Sequence, residues 1–250
     1  MDERPDIMQM GGFPVLRTTS HELAIFLLER IAKNNDSMLF FANTNFVVKC
    51  NSLASKMDFK QVIIVNDGVG IDIAALLIYG KRFRENLNGT DFLPYLFKQS
   101  RTPLRVYLLG AKPDVLIKAA SYLTLQLGQL VVGSKDGYQY LDDTELLNTI
   151  NSAQPDVILV ALGNPIQEEW ILNNRDAIAT PLIIGVGALF DFWAGDKPRA
   201  PRYLQNMRLE WFFRLTLEPR RLIRRYTLDI LRFVFYCYKY KNKRNSPSRY

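Results

Sequence analysis

Over roughly residues 14 to 195, short apolar runs alternate with segments of helical period, and this alternation restricts the chain to a parallel α/β sheet. The sharpest run is Val62-Ile63-Ile64-Val65-Asn66-Asp67-Gly68-Val69-Gly70. Four apolar, mostly β-branched residues meet an acid, and glycines follow at once. A strand buried on both faces reads this way. The acid then stands at the strand's carboxyl end, where open α/β sheets hold their ligands, and the glycines allow a sharp turn and close approach of the backbone. Asp67 is therefore either a reacting carboxylate or the cap of the next helix.

The other runs repeat the pattern. Residues 12–16 predict an edge strand, since Pro14 is tolerated there. Residues 38–42 end at Asn43-Thr44-Asn45, and 104–109 are closed by Gly110. Residues 130–132 are a short strand; 156–162 end at Gly163-Asn164-Pro165-Ile166-Gln167-Glu168, and 181–186 lead into Gly187 and Asp191. Helices are expected over 22–33, 46–57, 71–79, 91–98 and 113–127, with Pro113 in a first turn. Thr19-x-x-Glu22 fits a capping box. Asp142-Asp143-Thr144 precedes a helical pattern and is read as a cap rather than a metal pair. Pro165 fits a helix start, whose free N–H groups can hold a phosphate. The fold class is thus α/β, a Rossmann-like, mostly parallel sheet with helices on both faces.

Several function classes are disfavoured. His21 is the only histidine and sits beside the capping box, as a surface residue does, so histidine-based hydrolysis and multi-histidine metal sites do not fit. Cys50 and Cys237 lie far apart and give neither a disulfide framework nor metal-ligand spacing. Gly185-x-Gly187 lacks the third glycine and the strand-end acid of a dinucleotide fingerprint. No secretory leader and no apolar run of spanning length is visible.

Charge divides the chain. The net charge is +7, yet from Arg208 onward twelve Lys/Arg face only three Asp/Glu, so the remainder is slightly acidic. We divide the chain into a catalytic domain over 1–205 and a basic, aromatic helical C-terminal appendage over 206–250, joined by a proline-broken linker. Arg mixed with Leu, Ile, Phe and Tyr over 220–240 fits an anionic membrane interface; packing onto the domain is the competing reading. No nucleic-acid motif is present.

Six segments in order carry a resemblance: Phe40-Phe41-Ala42-Asn43-Thr44-Asn45-Phe46, Val65-Asn66-Asp67-Gly68-Val69-Gly70, Asn88-Gly89-Thr90-Asp91, Gly163-Asn164-Pro165-Ile166-Gln167-Glu168, Gly185-Val186-Gly187-Ala188 and Glu218-Pro219-Arg220-Arg221-Leu222. Together, from about Gly12 to Tyr226, the chain resembles the WecG/TagA/CpsF glycosyltransferases, a family of inverting enzymes. The likeness is to the branch that serves xanthan-type polysaccharide assembly. It implies transfer of glucose from UDP-glucose to a glucosyl-diphospho-polyprenol acceptor, giving a β-1,4-linked cellobiosyl lipid; the alternative is an N-acetylmannosamine-type donor. The resemblance implies Asp67 as base and Thr44 as active-site threonine, with Gln167 and Asp191 near the nucleotide sugar. Asn45, Asn66, Gly110, Gly163, Asn164 and Gly187 stand with them at strand ends. Asn88 and Asp91, with Arg214, Arg221 and Arg224 of the appendage, are expected at the acceptor or the diphosphate. Many relatives carry Arg where this chain has Asn86, and Arg82 or Arg84 are candidates to replace it. No metal or cofactor is expected. The site of action would be peripheral, at the cytoplasmic face of a bacterial inner membrane, and a homo-oligomeric state is left open.

Overall fold

The computed structural model describes residues 6–57, 60–137, 144–201, 203–204, 209–217 and 219–241, with backbone alone at 214, 220–226 and 228. Eight strands form one sheet: β1 (Ile7–Met10), β2 (Phe13–Leu16), β3 (Ser37–Ala42), β4 (Val62–Asn66), β5 (Arg105–Gly110), β6 (Leu130–Lys135), β7 (Val157–Ala161) and β8 (Leu182–Gly185), in the order β1-β2-β4-β3-β8-β7-β5-β6. Every pairing is parallel except β1 with β2. The helices are α1 (Ser20–Ala32), α2 (Thr44–Lys49), α3 (Val69–Tyr79), α4 (Gly89–Gln99), α5 (Pro113–Leu125), α6 (Thr144–Ala153), α7 (Ile166–Asn174), α8 (Leu189–Trp193), α9 (Glu210–Leu217) and α10 (Pro219–Tyr240).

The apolar runs lie between two helical layers because successive strand side chains point to opposite faces. Met38, Phe40, Val62 and Ile64 pack with α2, α3, α6, α7 and α10. Leu39, Ile63, Val65, Leu159 and Ile184 pack with α1, α4, α5 and α8. In the centre of the sheet, every residue of β4, β7 and β8 is buried, as their unbroken apolar runs required.

Local chemistry sets the boundaries. Thr19 and Glu22 form the full capping box of α1, and His21 is exposed, its Nδ1 3.2 Å from the Tyr95 hydroxyl. Pro113 stands in the first turn of α5. Three expectations need correction. β2 is not an edge strand: β1 covers it, with Gln9 opposite Pro14, while Val15 and Leu16 pair with β4 on the other side. The helix expected over 46–57 is two elements, α2 ending at a cap on Cys50 and a 3-10 helix over Asn51–Met57. The strand expected over 130–132 runs on to Lys135. Asp142 and Asp143 lie outside the described residues.

The described part of the appendage is helical, and α10 packs one face on the domain and leaves another exposed. Phe233 and Cys237 of α10 are buried in the same cluster as β1, β2 and α2. Leu231, Val234, Phe235 and Tyr238, spaced along one helical face, stay exposed at 55–76%. Gly11, at φ +62 in the β1–β2 turn, has no room for a side chain: a Cβ there would stand 2.2 Å from Val47 Cγ1 and 3.6 Å from Tyr236 Cβ. The hairpin, α2 and α10 therefore meet at one point.

Candidate active site

Adjacent strands β3 and β8 send their following helices to opposite faces, α2 to one and α8 to the other. A crevice must open at the carboxyl ends of such a pair. It is a cleft of about 650 Å³, within the range of ligand sites. The loops after β4, β3, β8 and β7 line it, and Leu217 at the end of α9 reaches it from the appendage.

One wall belongs to β4. Asp67 follows the strand's last residue, its N–H bonded to the Ala42 carbonyl at 2.7 Å, and its half-buried carboxylate faces the cleft. Asn43 Nδ2 donates to Asp67 Oδ2 at 3.0 Å. The other end of that amide, Asn43 Oδ1, accepts from the Phe46 N–H at 3.0 Å and caps α2. One asparagine thus ties the acid to a helix start. Asp67 is not the cap of α3: Gly68 holds that place, at φ 90, with no side-chain cap bond. The Gly68 N–H donates instead to Asn86 Oδ1 at 2.6 Å. Asn86 therefore pins the turn that carries Asp67.

Arg82 and Arg84, the candidates to stand in for an arginine at 86, do not line the cleft. Arg84 pairs with Glu22 at 3.0 Å, and Arg82 is exposed with its carbonyl accepting from Arg17. Asn66 is fully buried and holds the same loop, donating to the Glu85 carbonyl at 2.8 Å; it does not reach the cleft. Thr44 also stays out of the cleft lining. Its Cγ2 lies 2.6 Å from where a Cβ on Gly70 would be, so it packs the start of α2 against the start of α3. At the rim, Asn88 lines the cleft and caps α4, accepting from the Asp91 N–H at 3.0 Å. Asp91 is occupied by Asn88 Nδ2 at 2.8 Å and by Arg199.

The opposite wall belongs to β7 and β8. Gly163, Asn164, Gln167 and Gly187 line it, with Asn45 reaching across from α2. Asn45 Nδ2 donates to Asn164 Oδ1 at 3.3 Å, and Asn164 Nδ2 to Glu168 Oε1 at 2.6 Å. Gln167 is only 3% exposed. Its Nε2 donates to Glu168 Oε1 at 2.7 Å, and its Oε1 accepts from the Gly187 N–H at 2.9 Å. Both ends of Gln167 are thus spent on the protein, and it braces the β8 turn. Glu168 has no exposed surface, and burial pushes its carboxyl above the usual range. The same apolar surroundings, with Glu168 next to it, push the Cys50 thiol well above its ordinary value, so that thiol is inert at neutral pH.

Gly110 lies outside the cleft; a Cβ on it would meet the Ala161 carbonyl at 2.4 Å, so glycine there allows β5 and β7 to end close together. Asp191 is also outside, ion-paired with Lys197 at 2.8 Å. The cation it holds does line the cleft. Sequence reasoning passed over Lys197 as part of a basic linker, and Glu168 as one letter of a motif. The side chains of Arg214, Arg221 and Arg224 lie outside the described residues.

Comparison with known proteins now adds to the geometry. Residues 8–247 match the model of the glycosyl transferase WecG/TagA/CpsF family. The chain belongs to that family. It is also 34% identical over 176 residues, 68% of each chain, to N-acetylglucosaminyldiphosphoundecaprenol N-acetyl-beta-D-mannosaminyltransferase of Bacillus subtilis (strain 168). The protein is therefore a glycosyltransferase of the hexosyl-transferring kind, and a nucleotide-sugar donor and a lipid-linked diphosphosugar acceptor fit its family. The resemblance read from the six segments holds at the level of the family. The narrower likeness to a UDP-glucose enzyme gains no support, since the relative is named for an N-acetylmannosaminyl transfer.

Proposed function

We propose that this enzyme moves an N-acetylmannosamine-type hexose from UDP to a sugar-diphospho-polyprenol, inverting the anomeric centre, with Asp67 as general base. The observation that carries the reading is the Asp67 carboxylate at the carboxyl end of β4, held by Asn43 and facing a cleft whose other wall is preformed. The Bacillus relative's name favours this donor over glucose, and an N-acetylglucosaminyl-diphospho lipid as acceptor.

In the transfer, Asp67 takes the proton of the acceptor hydroxyl as that oxygen bonds to the anomeric carbon. The bond from the anomeric carbon to the UDP oxygen breaks, and UDP leaves with the electron pair. Charge grows on the diphosphate, and cations at the cleft offset it. Lys197 is one, and Arg214, Arg221 and Arg224 are the appendage candidates. We propose transfer without a divalent ion.

The deciding assay offers UDP-ManNAc, UDP-GlcNAc and UDP-glucose with N-acetylglucosaminyl- and glucosyl-diphospho-lipids, with and without EDTA, read by mass spectrometry. Transfer from UDP-ManNAc, undiminished by EDTA, is expected. Turnover of UDP-glucose alone would restore the glucosyl reading, and loss with EDTA would overturn the metal-free one.

We also place the enzyme peripherally on an anionic leaflet. Among the described residues no helix is long and apolar enough to cross a membrane. The exposed face of α10, with Arg232 and Lys239 exposed alongside it, suits an interface. Each cation near such a surface contributes about 1 kcal/mol. Full-length protein should float with anionic vesicles and be released by salt. Leu231→Ser with Phe235→Ser should abolish flotation without changing Tm, and retained flotation would refute this surface. Deleting the appendage is the poorer test, because it removes Phe233 and Cys237 from the core.

A further inference from the structure

The buried carboxyl of Glu168 takes no part in the transfer, yet it is the hub of the β7–β8 wall. Its Oε1 accepts from Asn164 Nδ2 at 2.6 Å and Gln167 Nε2 at 2.7 Å. Its Oε2 has no hydrogen-bond partner among the described residues, and the Cys50 thiol lies near the carboxyl. Oε1 is an acceptor whether the group is ionised or carries its proton on Oε2.

That fixed polarity propagates. An asparagine amide has nearly the same shape either way round, so its partners decide which end faces where. Glu168 obliges Asn164 to turn its nitrogen inward and its oxygen outward. The Asn164 oxygen obliges Asn45 to turn its nitrogen toward Asn164, at 3.3 Å. Asn45 Oδ1 is then the atom left for the cleft, which Asn45 lines while half-buried. Gln167 is locked from both ends by the same rule, since the Gly187 N–H can only donate and the Glu168 oxygen can only accept. The whole wall has one consistent orientation, anchored by the Glu168 carboxyl and by the Gly187 N–H.

We propose that Glu168 is a positioning residue that sets the hydrogen-bond polarity of the donor pocket, so that Asn45 presents an acceptor and selects a ligand group that donates. Such groups are the imide N–H of uracil and an N–H or O–H on the hexose. A site built to bond a donor rejects an analogue lacking it far more strongly than an apolar pocket could. This inference rests on the UDP-sugar reading above.

The test is a relocation of the carboxylate. In Glu168→Gln the amide oxygen stays with Gln167, which the Gly187 N–H locks, but the amide nitrogen can now turn to Asn164, so the polarity of Asn164 and Asn45 is no longer fixed. In the double variant Glu168→Gln with Asn164→Asp, the carboxylate at 164 still accepts from Asn45, while the amide at 168 donates to it and accepts from Gln167. Binding of UDP and of UDP-ManNAc is measured by calorimetry, with Tm recorded for each variant. The single variant should bind about 10-fold or more weakly, the scale of one buried hydrogen bond. The double variant should recover to within about 3-fold, since only the polarity is shared with wild type. Weakening that already shows with UDP assigns the contact to uracil, and weakening confined to UDP-ManNAc assigns it to the hexose; either supports the proposal. If Glu168→Gln does not fold, Asn45→Ala at the half-buried end of the relay should show the same loss. Wild-type affinity in Glu168→Gln or Asn45→Ala, or a folded double variant no tighter than the single, overturns it. A wild-type protein that binds neither ligand overturns the donor reading itself, and the proposal with it.

Discussion

The two walls of the cleft are built on opposite plans. On the β7–β8 side, Gln167 and Glu168 are buried and every amide is committed to a partner before a ligand arrives. On the β4 side, Asp67 is half-buried and rests on Asn43, and its turn hangs on the exposed Asn86. A wall that recognises a fixed molecule gains from being preformed, because little ordering is left for the ligand to drive. A wall that must reach an acceptor hydroxyl and take its proton needs an accessible carboxylate. Binding and chemistry should therefore separate by wall when mutated.

Asp67→Asn is the hardest blow to that division. Loss of a general base typically costs ~10²–10⁴-fold in rate. The loss should fall on kcat, with the donor KM and Tm unchanged; wild-type turnover would remove Asp67 from the mechanism. Gly185→Ala strikes the other wall, since the added Cβ would meet Gln167 Nε2 at 2.9 Å and Phe40 Cδ1 at 3.2 Å. Overpacking of this kind costs about 1–3 kcal/mol, so Tm should fall and donor KM rise with kcat nearly intact. A pure kcat effect would mean that the walls are not independent. Thr44→Ala should do least. Thr44 packs α2 on α3 outside the cleft lining, so kcat should stay within about twofold, the scale of ±0.5 kcal/mol. A large kcat loss there would bring the hydroxyl into the chemistry after all.

How much of this was legible in the sequence follows the same division. The central strands declared themselves because strands buried on both faces must be continuously apolar. The Thr19–Glu22 box declared α1 because capping is local. Asp67 was legible as a strand-end acid, although the cap it might have supplied went to Gly68. The failures were all non-local. Ile7–Met10 closes a charged N-terminal stretch with no strand signal of its own, and only its pairing with β2 makes it a strand. Pro14 suggested an edge, but β1 covers that side. Asn86 looked like a gap in a pattern until its oxygen was found on the Gly68 N–H. Gln167 was expected near the nucleotide sugar and lines the cleft, but no local signal announced that its amide also braces Gly187 through packing that needs glycine at 185. Glu168 is the clearest case. Nothing in a six-residue motif says which of two neighbouring polar residues the fold will bury completely.

The junction at Gly11 has a consequence for the life of the chain. Phe233 and Cys237, near the end of the sequence, pack with β1, β2 and α2 from its beginning, and α2 starts at the asparagine that holds Asp67. Synthesis proceeds from the amino terminus at about 5–20 residues per second, and the last segments join only when they clear the ribosome. The support beneath the Asp67 turn is therefore completed only once α10 has been made and has left the ribosome. A nascent or prematurely terminated chain would carry the sheet and both walls' residues without the helix that backs one of them.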